Sequence, residues 1–220
     1  MEDTRQRILN AAGVEFAERG YRGATIRTIC RKAGVNVAAV NYYFGGKEGL
    51  YKEVIIASHP ANIDDGASFP ENASAREKLR AFVHAFLTHV RSIPSDSWRL
   101  RLMIRELTNP IPACREPLKA AFQARFDELL KIFRELVPNA PEVFRKRLAV
   151  GIFGQCIVYR RDGIPQLLLG EAQIDRHFGI ETLTDHIVTM TLRAVGLESP
   201  FDFRSREERM EDDPVEGGAA

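Results

Sequence analysis

The 220-residue sequence lacks the features that mark secreted and membrane proteins. It holds only three cysteines, which are widely spaced and form no CxxC pair, so the sequence indicates neither a disulfide framework nor a zinc site. No apolar run approaches the roughly 18 residues of a membrane span. The N-terminal segment MEDTRQRILNAAG has acids and helical periodicity where a signal peptide has a basic flank and an apolar block. The sequence therefore predicts a cytoplasmic protein with reduced, structural thiols and no membrane partner.

Catalytic motifs are missing as well. HExxH, GxSxG, P-loop and dinucleotide-binding glycine patterns do not occur, and the five histidines are scattered along the chain. We therefore predict no catalytic residue, no metal site and no cofactor. The chain is not expected to be an enzyme.

Helical periodicity dominates what is present. Apolar residues recur at i, i+3 and i+4 in long stretches that Pro- and Gly-rich breaks separate, and no alternation typical of strands exceeds a few residues. At 45% hydrophobic residues, the chain can bury a sizeable core. The sequence predicts an all-α protein with about nine helices. Seven are expected near residues 3–19, 47–58, 74–92, 96–110, 117–136, 142–160 and 175–195, and two short ones are expected to begin after Thr25 and after Asn36.

The most informative stretch, residues 25–51, predicts two short helices joined by a tight turn and followed by a third. Thr25 and Asn36 are N-cap residue types, and Gly34 between them permits the sharp turn. A pair of helices joined in this way is typical of a helix-turn-helix, whose second helix enters the DNA major groove. In that second helix Ala39, Val40 and Tyr43 are expected to pack inward. The opposite side is expected to carry Val37, Ala38, Asn41 and Tyr42.

The charge of this region agrees with a nucleic-acid partner. Residues 19–52 contain seven basic side chains and one acidic side chain, a net charge of +6, whereas the whole chain carries +1. A local excess of this kind is the electrostatic footprint of phosphate binding. The segment 198–220 has the opposite composition, with eight acids and three arginines, and is predicted to be a disordered tail.

The stretch AGVNVAAVNYYFGGKEGLY closely resembles the DNA-binding signature of the TetR/AcrR family of bacterial regulators. The resemblance covers about the first 55 residues. It implies a three-helix DNA-binding head at 1–55 with a helix-turn-helix, and a C-terminal helical bundle for ligand binding and dimerisation at 56–197. The sequence RLMIRELTNP, together with the head, also resembles an antibiotic-responsive branch of the family.

Candidate DNA contacts follow from residue chemistry and from the resemblance. The guanidinium of Arg27 can grip guanine with two hydrogen bonds, and Asn41 can read adenine. Small apolar groups such as Val37 and Ala38 can contact a thymine methyl. The resemblance implies phosphate contacts by Thr25, Tyr42 and Lys47, and a solvated or packing role is the alternative for each residue. The predicted DNA-binding set is Thr25, Arg27, Asn36, Val37, Ala38, Asn41, Tyr42 and Lys47.

The long Phe-rich helices after the head suit a cavity for a small amphipathic or drug-like ligand. A plain core role is the alternative for each candidate wall residue. The predicted ligand-binding set is Phe82, Phe86, His89, Trp98, Met103, Arg105 and Phe122.

The last two predicted helices resemble the pair that forms the dimer interface in the family. Gly151, Gly154 and Gln155 make a run that permits close helix approach. A homodimer also suits double-stranded DNA, because two recognition helices then meet successive major grooves about 34 Å apart on a near-palindromic operator.

The function predicted from these observations is that of a ligand-inducible transcriptional repressor. A transcriptional activator or ligand-independent regulator is the first alternative, and loss of transcription on deletion would favour activation. A helical small-molecule-binding protein or enzyme with a vestigial head is the second. Substrate turnover without salt-dependent DNA binding would favour it.

Overall fold

A computed structural model describes residues 3–58, 69, 72–94, 96–160 and 163–199. Over these residues the protein is all-α, as predicted, with eleven α-helices and one 3-10 helix. None of these helices combines the length and apolarity needed to cross a bilayer. The elements are α1 (Thr4–Gly23), α2 (Ile26–Ala33), α3 (Val37–Phe44), α4 (Lys47–Ser58), α5 (Ala75–Ser92), α6 (Trp98–Thr108), the 3-10 helix Pro112–Cys114, α7 (Arg115–Leu136), α8 (Glu142–Val158), α9 (Ile164–Leu169), α10 (Glu171–His177) and α11 (Ile180–Ala194).

The predicted number of about nine helices was too low because the segment after α8 was read as a loop. Pro165 stands in the first turn of α9, where the missing proline N–H costs no helical hydrogen bond, so this proline begins a helix instead of breaking one. Gly170 then separates α9 from α10. The last helix begins at Ile180 and not near residue 175. The predicted acidic tail at 198–220 lies outside the described residues from 200 onward.

The first four helices, α1 to α4, form the part that we call the head. Its caps are those predicted: the Thr25 side chain accepts the N–H of Thr28 at 3.1 Å, and Asn36 Oδ1 accepts the N–H of Ala39 at 3.0 Å. Gly34 between them has φ 65°, a left-handed conformation that favours glycine. The local sequence therefore specified the turn.

The inward face of α3 differs from the prediction in one position. Val40 is buried as expected, but Tyr43 is 39% exposed and Phe44 fills the inner position instead. Phe44 lies four residues after Val40, so the two side chains share one helical face. Tyr43 therefore belongs to the outer surface, where its ring meets that of Tyr42 at 5.0 Å.

Helices α5 to α11 make up the part that we call the body, whose main core lies between α5, α7, α8 and α11. Helix α6 packs on the head instead. Leu102 of α6 and Cys114 of the 3-10 helix are buried in the head's own core, and the Trp98 ring covers Gly13 of α1 so closely that a Cβ there would lie 2.5 Å from it. Helix α6 is thus the element that joins body and head.

All three thiols are expected to be unreactive in the folded protein. Cys30, Cys114 and Cys156 are buried, and burial raises each pKa, to about 12 for Cys114 and for Cys156. Because the thiolate is the nucleophile, at pH 8 they should stay protonated and react slowly with a disulfide reagent such as DTNB. Unfolding in guanidinium should release three fast-reacting thiols. Fast reaction of the native protein would contradict this burial.

Candidate nucleic-acid interface and effector cavity

The outer face of α3 presents four of the predicted DNA-contacting residues together. Val37 is 48% exposed and Tyr42 is 82% exposed, and Ala38 and Asn41 are exposed beside them. Burial of Val40 and Phe44 on the other side fixes the rotation of the helix. A short helix with one anchored face and one open face of small and polar groups can approach base edges in a major groove.

Three other predicted contacts lie at helix N-termini around this face. Thr25 and Asn36 use their side chains as the N-caps of α2 and α3, and Thr25 Oγ1 also lies 2.9 Å from Thr28 Oγ1. Arg27 is exposed in the first turn of α2. Backbone N–H groups and the positive end of the helix dipole favour phosphate at such positions. The Thr25 and Asn36 side chains therefore stabilise the helix ends of the head. The exposed guanidinium of Arg27 lies at the N-terminus of α2.

Lys47 opens helix α4, and its side chain is half-buried. Its Nζ lies 4.8 Å from the centre of the Tyr21 ring, a cation–π contact. Lys52, one turn further along the same helix, is instead paired with Glu48 at 2.7 Å. Of the two ammonium groups, only that of Lys47 has no carboxylate partner among the described residues.

The basic excess of the head is smaller in three dimensions than along the sequence. Glu15, which is 1% exposed, binds Lys32 at 2.7 Å and Arg19 at 3.1 Å. The hydrogen bond to Glu15 raises the pKa of Lys32. The residue window that gave the net charge of +6 began after Glu15 and so left out this acid. Within residues 19–52, the basic residues that remain exposed without an ion pair in the described part are Arg22, Arg27 and Arg31.

A cavity of about 280 Å³ opens between α6, α7 and α8 in the body. Phe122, a predicted wall residue, lines it, and Phe82 and Phe86 lie behind the wall with rings 6.3 Å and 4.9 Å from that of Phe153. Lys119, which is exposed, is the one cationic residue of the lining. The full lining is Leu107, Lys119, Phe122, Gln123, Phe126, Val150, Phe153 and Ile157.

Sequence reasoning missed Phe153, the ring that four other phenylalanines surround. The signal available in the sequence is the centre of α8, where the residues are apolar or small nearly all round, a pattern typical of a helix buried on more than one face. That pattern does not show which side chains of α8 turn toward the cavity. Only the packing of α8 against α5 and α7 turns Phe153 toward the cavity.

The structure does not bring four of the predicted wall residues to this cavity. Trp98 packs on Gly13, and the Arg105 guanidinium lies against Gly20, where a Cβ would come within 2.4 Å of it. His89 and Met103 are half-buried and do not line the cavity. The reason is the rotation of α6, which turns the side that carries Trp98 toward α1 and α4. Leu107 is the residue of α6 that reaches the cavity.

A buried polar pair joins α6 to the head and was not predicted. Tyr51 Oη donates to a carboxylate oxygen of Glu106 at 2.5 Å, and both side chains are at most 1% exposed. The other Glu106 oxygen accepts the N–H of Ile111 at 3.2 Å. Burial and the neighbouring carboxylate raise the pKa of Tyr51, so this hydroxyl stays protonated and remains a donor.

An exposed second helix of a helix-turn-helix on a four-helix head, joined to a helical body with its own cavity, defines a helix-turn-helix protein with a second, helical domain. Known families match both parts: residues 8–54 match the family described as "Bacterial regulatory proteins, tetR family", and residues 75–195 match the "HTH-type transcriptional dual regulator CecR, C-terminal domain". The chain belongs to the TetR family of bacterial regulatory proteins, with a C-terminal domain of the CecR type.

Individual relatives agree. The chain is 30% identical over 116 residues to the probable HTH-type transcriptional regulator YttP of Bacillus subtilis, covering 51% of this chain and 55% of YttP. It is 37% identical over 98 residues to the regulator SrpR of Pseudomonas putida, covering 44% of each chain. The chain thus spans about half the length of the curated relatives it matches.

Solved structures share the whole fold. HlyIIR, a hemolysin II transcriptional regulator, superimposes with a TM-score of 0.57 at 26% identity, covering 85% of this chain and 96% of HlyIIR. AibR, solved with isovaleryl coenzyme A and operator DNA, has a TM-score of 0.61 at 17% identity, covering 86% of this chain and 97% of AibR. The second likeness shows the fold alone.

Proposed function

We propose that this protein is a sequence-specific DNA-binding transcriptional regulator that acts as a homodimer on a near-palindromic operator and releases it when a small amphipathic ligand binds. The division into a DNA-binding head at 1–55 and a ligand-binding and dimerisation domain at 56–197 belongs to this proposal. The observation that carries it is the open face of α3, which the anchored residues Val40 and Phe44 aim outward beside the exposed Arg27.

Replacing Arg27 with alanine is expected to weaken operator binding by about 1–3 kcal/mol if the guanidinium reads a guanine, as a bidentate base contact does. The protected sequence should also lose its preference at that one base pair. Footprinting of the chain's own upstream DNA across a salt series measures both. Tyr42→Phe, which removes one hydroxyl, tests the predicted phosphate contact in the same assay.

Arg101→Ala is the matched control, because Arg101 is exposed on α6 and not on the two helices of the helix-turn-helix, α2 and α3. It should leave the protected site and its affinity unchanged. If Arg27→Ala and Arg101→Ala weaken operator binding equally, the result would mean that only the loss of one positive charge matters and that Arg27 contacts no base. If wild-type protein protects nothing at low salt and selects no site from random-sequence DNA, a vestigial head becomes the better reading.

The sign of regulation is proposed to be repression. The matched C-terminal family is named after a dual regulator, so activation is the second candidate. A reporter under the protein's own promoter separates them: deletion should raise transcription if the protein represses, and lower it if the protein activates.

The cavity supports an amphipathic ligand with an anionic end. Its walls are mainly aromatic and aliphatic, and Lys119 is the charged residue of the lining. AibR, a neighbour in fold, was solved with isovaleryl coenzyme A, an acyl compound with an anionic portion. An apolar chain could fill the space between Phe122 and Phe153 while its charged group remains at the mouth.

Sodium decanoate is therefore expected to bind more tightly than decyltrimethylammonium, which has the same chain and the opposite charge. Trp98 is the single tryptophan and lies between α6 and α1, so its emission reports movement at this junction. Lys119→Met should weaken decanoate about two- to fivefold, the value of an exposed ion pair. Equal binding of both amphiphiles would contradict the charge preference and leave only an apolar site.

Helix α8 carries an exposed surface that suits the interface of the proposed dimer. Val143, Gly151, Gly154 and Val158 are all exposed and follow one stripe along α8. Met190 of α11 is 51% exposed nearby in the fold, since α8 and α11 pack together. The exposed Arg147 lies on the same side of α8, between Val143 and Gly151, so the apolar and small part of the stripe that suits close packing against a second copy runs from Gly151 to Val158.

A further inference from the structure

Two neighbouring residues of α6 face different parts of the molecule. Leu107 lines the cavity, whereas the carboxylate of Glu106 is buried toward the head. Glu106 is held from two sides, by the Tyr51 hydroxyl at 2.5 Å and by the N–H of Ile111 at 3.2 Å. Because both residues belong to one rigid helix, a displacement of α6 that begins at Leu107 also displaces Glu106 and the hydroxyl bound to it.

Tyr51 extends this contact into the head. Its ring is fully buried, with the Phe16 ring edge-on at 4.6 Å and the Tyr21 ring at 5.0 Å. A ring enclosed in this way has no free space to move alone, because protein interiors are close-packed. A displacement of the Tyr51 hydroxyl therefore also displaces the Tyr21 ring that packs against it.

Tyr21 connects these buried rings to the charged side chain of Lys47. Its ring lies 4.8 Å from Lys47 Nζ, at the N-terminus of α4, where the helix dipole disfavours a cation. The negative face of the ring offsets this cost without neutralising the charge, as a carboxylate would. Lys52 shows the contrast, since Glu48 neutralises it. The ammonium of Lys47 is thus held in one place and left able to bind an anion.

We propose that Tyr21 and Tyr51 are positioning residues that hold the Lys47 ammonium for a DNA phosphate, and that Glu106 makes this position depend on helix α6. The inference rests on the proposed DNA-binding function. It adds the series of contacts through which a displacement of α6 at the cavity changes the contact between Lys47 and a DNA phosphate. Each dimer has two such lysines, so one shift of α6 in each protomer removes two contacts.

The first test replaces the ring. Tyr21→Leu removes the aromatic face and keeps apolar bulk, whereas Tyr21→Phe keeps the face. With a duplex that wild-type protein selects from a random pool, Tyr21→Leu should make the slope of log K against log salt shallower by about two, one phosphate per protomer. Tyr21→Phe should keep the wild-type slope. Circular dichroism confirms that both variants are folded.

The second test asks whether each tyrosine acts through Lys47. In a double-mutant cycle, Tyr21→Leu and Tyr51→Phe should weaken DNA binding on their own and add nothing in a Lys47→Ala background. Both should keep their full effect in a Lys52→Ala background. Tyr51→Phe retains the ring and removes only the hydroxyl that Glu106 binds, so its effect isolates the link to α6.

The outcomes distinguish a failure of the proposed DNA-binding function from a failure of the inference about Lys47. Wild-type protein that selects no DNA at low salt would refute the proposed function, and the inference with it. Wild-type binding with an unchanged slope for Tyr21→Leu would overturn the inference alone. A loss from Tyr51→Phe that persists in the Lys47→Ala background would overturn the link through Glu106, because the variant would then act on the head in general.

Discussion

Replacing Gly49 with alanine is expected to disrupt the head. A Cβ at this position would lie 1.9 Å from the backbone carbonyl oxygen of Phe44, where a carbon and an oxygen need more than about 3 Å. Gly49 is in the first turn of α4 and Phe44 is the last residue of α3, and only Gly45 and Gly46 separate the two helices. The added methyl must therefore push the recognition helix away from α4.

The expected cost is about 3 kcal/mol in the free energy of unfolding, at the upper end for overpacking, because the obstacle is backbone. For a chain of this length that corresponds to a fall in Tm of about 10 °C. Operator affinity should fall as well, since α3 carries the proposed base contacts. Thermal unfolding followed by circular dichroism and DNA binding by gel shift measure the two effects.

Gly23→Ala is the control in the same head. Its Cβ would meet only the Arg19 Cβ, at 3.3 Å, so a small adjustment suffices. We expect a change in Tm of no more than about 2 °C, as for substitutions without a large clash. Similar losses for Gly49→Ala and Gly23→Ala would refute the close approach of α4 to α3.

Replacing Gly154 with glutamate is expected to separate the proposed dimer and to abolish tight operator binding. The glycine is exposed on α8, and no atom lies within 4 Å of where its Cβ would be, so the protomer has room for the side chain. In a dimer that uses the α8 stripe, the same side chain would place a charge between two helices. Two heads that bind independently lose about 100-fold or more in affinity relative to two joined heads.

The protomer itself should become slightly more stable, because glutamate is a better helix former than glycine by about 0.5–1 kcal/mol. Loss of binding with an unchanged or raised Tm would therefore distinguish dissociation from unfolding. Light scattering after size exclusion should report a monomer. Ala85→Glu, at an exposed position on α5, is the control and should stay dimeric. A Gly154→Glu variant that remains a dimer would place the interface elsewhere.

The predictions that succeeded concern contacts within a few residues. Thr25, Gly34 and Asn36 were assigned from residue type, and the structure has them as cap, turn and cap, because each acts on backbone groups two to three positions away. The helix predicted near residues 74–92 is α5 (Ala75–Ser92) for the same reason, since the helical spacing of its apolar residues is a local property. Pro165 was misread because proline both ends helices and begins them.

The predictions that failed concern which neighbour a face meets. Helix α6 was assigned to the cavity wall, yet Trp98 and Arg105 pack on α1. Its sequence shows one apolar side and gives no indication that the partner is the head. The net charge of the head was overestimated because Glu15 precedes the basic segment in sequence and reaches into it in space.

The sequence by itself determined the all-α class, most of the helix limits, the turn of the head and the outward face of α3, because these depend on local hydrogen bonds and on the helical period. The tertiary structure alone decided the enclosure of Phe153, the approach of Gly49 to Phe44 and the burial of Tyr51 with Glu106. These contacts join residues on different helices, 55 positions apart for Tyr51 and Glu106. Their geometry depends on how close-packed helices settle against one another, which no local pattern records.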